Sequence, residues 1–249
     1  MNSLKDLYTQ RVEEIETYLE LLDTIDREIK EGRSPTIEVM SVITVTQQRM
    51  LYASFYLQLY NLVEATVSYC LDALSSAMVQ EHKWYPADLS PNFRKEWVRT
   101  VAKTHHIKDE TRLNGALEMF EQLVQSKPIP TPFHFDMKQN GNWDDEAIRK
   151  TSEKLGLRLT FRADVEANIK RPYRDDKRPL EFVKHLRNRL AHGNISFTEC
   201  GSTTTVADLH ELKRSTVEYL NDVVASFASF IESQGFISQD KRPPSNKFL

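Results

Sequence analysis

Between Met50 and Val63 the chain runs fourteen residues without a charge. The run lies in a segment, Thr36 to about Glu81, that reads as one long helix or two abutting helices. From Arg49 onward this helix is apolar nearly all round, and a helix with no polar face must be covered on every side. It is therefore expected at the centre of a core. The run contains Gln58 and Asn61 and stops at Glu64, short of the roughly 20 apolar residues a membrane helix needs. A soluble protein with no membrane partner is expected. With 249 residues, 40% hydrophobic and only seven glycines, the core is helical rather than sheet-rich and large enough to fold unaided. The fold class is all-α, a compact helical bundle.

The flanking segments supply the other helices. Leu4 to Lys30 carries Leu7, Ile15, Leu22, Ile25 and Ile29 on one stripe and acids opposite, and closes at Gly32. Ser90-Pro91 is a helix opening, a capping residue followed by proline at the first position. Asp109 to Gln125 follows, then an extended connection over Lys127 to Phe135. Asn142 to Lys154 reads as a helix ended by Gly156, Pro179 to His192 as another, and Val206 to Ser233 as the last, with Leu209, Leu212, Leu220, Val223, Phe227 and Phe230 along one side. Ile195 to Thr205 reads as a short extended or hairpin segment. In domain terms, 1–35 is an N-terminal helix packed on or extending the domain, 36–236 the helical domain, and 237–249 a disordered tail bearing Pro243-Pro244. Cys70 and Cys200 form no CxxC pair; without a signal peptide they point to a reducing, cytoplasmic setting.

Charge is uneven along the chain. Residues 1–31 hold nine acids against four bases, a net of −5, and residues 170–189 hold eight bases against three acids, a net of +5. Within the second block Arg171, Arg174, Arg178, Lys184 and Arg189 are candidates for binding RNA phosphates, since each neutralised phosphate releases counterions. A solvated helix entrance after Pro172 and Pro179 accounts for the same charges equally well.

That block runs into Arg187-Asn188-Arg189-Leu190-Ala191-His192-Gly193. Gly193 is a helix stop of the C′ kind, so His192 falls in the final turn. A guanidinium, an amide and an imidazole at one helix end form a phosphate-handling set, because an imidazole moves protons near neutral pH and a guanidinium stabilises phosphorane charge. Arg187, Asn188 and His192 are the candidate catalytic residues. Glu64, interrupting the most apolar helix, either pairs with Arg187 or Arg189 or sits at its solvent edge. His105-His106 chelates poorly, since adjacent helical residues diverge by about 100°. Trp143 and Tyr173 fit core or rim positions better than base stacking. No phosphate loop, HExxH, nucleophile elbow or paired-carboxylate motif is present, so no metal site and no cofactor are expected.

The motif resembles the signature of the HEPN superfamily (higher eukaryotes and prokaryotes nucleotide-binding), in its prokaryotic defence- and toxin-associated branch. Gly141-Asn142-Trp143 leading into Asp145 to Gly156, and Ile195 to Gly201 followed by Thr205 to Leu209, are similar to the same branch. The likeness spans about Tyr52 to Phe236. It implies a HEPN-type helical bundle that dimerises, brings two Arg/His sets together and cuts RNA without a metal, partnered by an antitoxin or defence-system protein. Some toxin members carry Tyr two residues beyond the motif His as a nucleotidylation site, where this chain has Asn194. The same fold also fits two other roles: a module that holds RNA or a nucleotide uncut, and a structural helical partner in a defence complex.

Overall fold

The charge-free run lies inside a 35-residue helix, α2 (Val45–Val79), whose residues Phe55, Tyr56, Leu59 and Leu74 are fully buried. The computed structural model describes residues 2–33, 36–38, 41–79, 84–103, 108–125, 128–129, 135 and 142–242. By length and composition α2 is long and apolar enough to cross a membrane, but the bundle wraps it as the core helix. Two long helices cover it, α1 (Asn2–Lys30) and α9 (Val206–Glu232). α1 runs antiparallel to both. Tyr8 Oη donates to the Val217 carbonyl at 2.7 Å, Tyr18 Oη to the Leu51 carbonyl at 3.0 Å, and Lys213 meets Glu16 at 2.6 Å. The N-terminal helix is thus docked on the bundle. Its buried stripe is Leu4, Tyr8, Ile15, Leu19, Leu22 and Ile25, while Leu7 and Ile29 lie partly exposed beside it.

Shorter elements close the remaining sides. They are α3 (Pro91–Val101), α4 (Asp109–Val124), α5 (Asp145–Lys154), α6 (Ala163–Lys170), α7 (Pro179–Ala191) and α8 (Phe197–Ser202). Ser90 caps α3 through its hydroxyl, with proline at the first helical position. α5 starts three residues later than expected because the Asp144 side chain accepts the Ala147 N–H at 2.8 Å and fixes the N-cap there. α6 carries no strong sequence signal and was not anticipated.

Three segments differ from expectation. Two short strands pair antiparallel, β1 (Thr36–Glu38) and β2 (Ser41–Val42), and the central helix begins only at Val45. The segment expected as a hairpin is the helix α8, started by the Ser196 hydroxyl accepting the Glu199 N–H at 3.1 Å. There Gly201 lies so near α2 that an added Cβ would fall 1.9 Å from the Arg49 carbonyl oxygen. The tail, expected disordered from residue 237, is packed as far as Arg242. Phe236 and Ile237 are buried, Ile237 bridges Leu89, and Arg242 donates to the Ile237 and Gly235 carbonyls. Burial of this apolar pair outweighs the polar composition around it. His105, His106, most of the Lys127 to Phe135 connection and Pro243-Pro244 lie outside the described residues.

Candidate functional site

α7 forms because Leu180, Phe182, Val183, Leu186 and Leu190 recur on one face and bury together, with Pro179 pre-set at the first position. It ends at His192. Gly193 takes φ +69°, its N–H reaching the Leu190 carbonyl at 3.2 Å, while the Asn194 N–H reaches the Arg189 carbonyl at 2.8 Å. These two bonds make a Schellman closure, which a side chain at 193 would strain. The His192 side chain is exposed at this cap, and its backbone N–H is held by the Asn188 carbonyl at 3.0 Å.

Arg187 sits differently. Its guanidinium lies 3.9 Å over the Tyr60 ring centroid, donates to Asn188 Oδ1 at 2.8 Å, and approaches Glu64 Oε2 at 3.9 Å. Its side chain keeps 20% of its exposure and that of Glu64 keeps 42%, so Glu64 is an edge residue that also faces the cation. Asn188 in turn donates to Asn142 Oδ1 at 3.3 Å. Tyr60 accepts the Trp143 N–H at 2.9 Å, and burial raises its phenol pKa against the opposing pull of that N–H and of Arg187. Arg187, Asn188, Glu64, Tyr60 and Asn142 therefore form one joined set. His192 lies about 140° round the helix from Arg187 but only about 40° from Asn188 by the 3.6-residue period.

The basic block is largely engaged inside the protein. Arg178 pairs with Asp145 at 2.6 Å, and Lys184 pairs with Asp144. Asp145 is 1% exposed, and burial pushes its carboxyl pKa up despite Arg178. Arg174 meets Asp208 at 3.0 Å, donates to the Thr203 carbonyl at 3.2 Å, and lies 5.7 and 5.8 Å from the ring centroids of Tyr173 and Phe182. Arg189 is half-buried near Cys200, whose thiol burial pushes up to about 11 in spite of that charge. Arg171 is exposed; with Arg174, Arg214 and Tyr173 it lines a pocket of about 310 Å³ that Asp208 and Glu211 also face.

Segment 142–145 lies in a stretch that resembles the family in sequence, but none of its residues is among the candidate site residues. Asn142, Trp143, Asp144 and Asp145 meet Asn188, Tyr60, Lys184 and Arg178 in turn. Its sequence signals are that likeness and the adjacent acids before a helix. Trp143 is buried and Tyr173 packs edge-on against Phe182 at 5.3 Å, so both belong to core and rim. His185 was missed as well. Its seven-residue spacing from His192 puts both on one face of α7, and burial, then Lys177 and Arg189, lower its pKa. Among the described residues no group of three or more His, Cys, Asp or Glu is placed to hold a metal ion.

No match to the chain was found among curated proteins or among solved structures. A family model described as HEPN_MAE_28990-like HEPN matches residues 2–236, from the start of α1 to the buried Phe236. The motif helix, the core helix it packs on and the 142–145 segment all fall within that span, and the chain belongs to the HEPN_MAE_28990-like HEPN family.

Proposed function

We propose that the chain is a metal-independent RNA endonuclease whose site is shared by two copies across α7. The observation that carries this reading is the contrast at the motif: an exposed His192 on a rigid helix cap, and an Arg187 held against Tyr60 and Asn188. RNA brings its own nucleophile. Its 2′-oxygen attacks the adjacent phosphorus, the P–O5′ bond breaks, and the 5′-oxygen leaves as a hydroxyl, giving a 2′,3′-cyclic phosphate. His192 serves the proton transfers and Arg187 the phosphorane charge, while Asn188 keeps the guanidinium in place. A two-fold axis beside α7 would set the His192 of one copy across from the Arg187 of the other.

Arg171 and the pocket it shares with Arg214 would hold backbone phosphate, with Arg189 and Lys184 secondary because they are partly covered. The reading places the protein in the cytoplasm as a toxin or antiphage effector controlled by a partner protein. Purified protein incubated with tRNA and total RNA in EDTA should yield cyclic-phosphate ends and leave DNA intact. Mixing Arg187→Ala chains with His192→Ala chains should restore part of the cleavage. The Glu64–Arg187 approach favours a second reading, a non-catalytic RNA-binding module. Binding without cleavage in the EDTA experiment would select it.

A further inference from the structure

The densest exposed apolar surface among the described residues is on α4, which packs on α3. Leu113, Leu117, Phe120 and Val124 are 56, 56, 63 and 66% exposed, with Leu123 beside them at 47%. The spacing is four, three, four. That is a d-a-d-a seam of two heptads, the pattern that packs one helix against another. Gly115 faces the opposite way and seats α4 on the body, where an added Cβ would lie 2.7 Å from the Val101 carbonyl oxygen. The close seat leaves the seam outward.

We infer that α4 is the interface with a second copy of this chain, packed antiparallel about a two-fold axis near Glu118. In that register Leu113 meets Val124 of the other copy, and Leu117 meets its Phe120. The flanking positions also agree. Asn114 and Glu121 occupy the e positions, and an antiparallel pair brings each Asn114 beside the other copy's Glu121, an amide donor against a carboxylate. On the other flank Ala116 and Leu123 extend the apolar contact. The five large residues leave at most about 500 Å² uncovered on each chain, about 1,000 Å² for a pair, the lower threshold of a specific contact and the size of a reversible one. Two copies leave no like charges facing each other along the seam. This interface is separate from the α7 pairing and does not depend on it.

Sedimentation equilibrium of the full chain, from about 1 to 100 µM, tests the inference. Leu117→Glu with Phe120→Glu should halve the associated mass while leaving the thermal unfolding transition in place, because both side chains are exposed. Asn114→Lys should tighten association and Asn114→Glu should loosen it, each by about five-fold, as two symmetry-related charge contacts are gained or set in repulsion. A monomeric wild type overturns the proposal. So does a mass that the double variant leaves unchanged, which would put self-association elsewhere, or two Asn114 variants that shift affinity in the same direction, which would exclude the antiparallel register.

Discussion

Arg178 and Lys184, at the start and middle of α7, end on the carboxylates of Asp145 and Asp144, which are 1% and 8% exposed. His192, in the closing turn of the same helix, is exposed and held only through its backbone. One helix therefore carries two kinds of polar residue. Arg178 and Lys184 of the first half fasten α7 to α5, whereas the His192 side chain at the end is exposed. A buried ion pair contributes little net stability beyond an apolar replacement, but it fixes position, because either partner alone is strongly disfavoured. Here it fixes the helix on which the motif rides.

Breaking the fastened half should have the largest effect. Asp145→Ala takes away the nearest carboxylate of Arg178 and should cost about 2–4 kcal/mol in urea unfolding; the remaining exposure of Arg178, with Glu146 and Glu181 at 3.8 and 3.7 Å, keeps it near the lower end. Asp145→Leu with Arg178→Met should recover most of that loss. If the single variant unfolds at the wild-type urea concentration, the pair does not position α7.

A smaller effect separates the cations by role. Arg171→Ala should leave stability unchanged and reduce the slope of log affinity for single-stranded RNA against log salt by about 0.7. Arg178→Ala should lower stability and leave that slope alone. Equal slope changes would erase the distinction between fastened and available charges.

Much of this was legible in the sequence, and the reasons are local. The core helix, α1, α3 and α9 declare themselves through apolar period and caps, and the Schellman end of α7 through Gly193. The ion pairs were not legible. Arg178 and Asp145 lie 33 residues apart and Lys184 and Asp144 lie 40 apart, so a charge count over residues 170–189 records +5 where the folded surface presents far less. α8 is only six residues long, too short for an apolar period to mark it, although Ser196 with Glu199 is a capping signal. Phe236-Ile237 was likewise an apolar pair hidden in a polar tail.

The smallest predicted effect concerns His185, half-buried on the helix face it shares with His192. Its folded pKa is depressed by burial and by Lys177 and Arg189. A depressed histidine favours the native state above its ordinary value of about 6.5, and that contribution is lost as pH falls from there through the folded value. The melting temperature should therefore decline from about pH 6.5 downward, and His185→Gln should make that decline shallower. An unchanged pH profile in the variant would remove His185 from this account.

The division of α7 into a fastened half and an open end is tested most directly by His192→Ala. Cleavage of total RNA in EDTA and the thermal unfolding temperature should be measured on the same preparation. The account predicts that cleavage is abolished while the unfolding temperature stays within about a degree of wild type, since an exposed cap side chain contributes little packing. Cleavage at the wild-type rate, or loss of cleavage together with a large fall in stability, would contradict it.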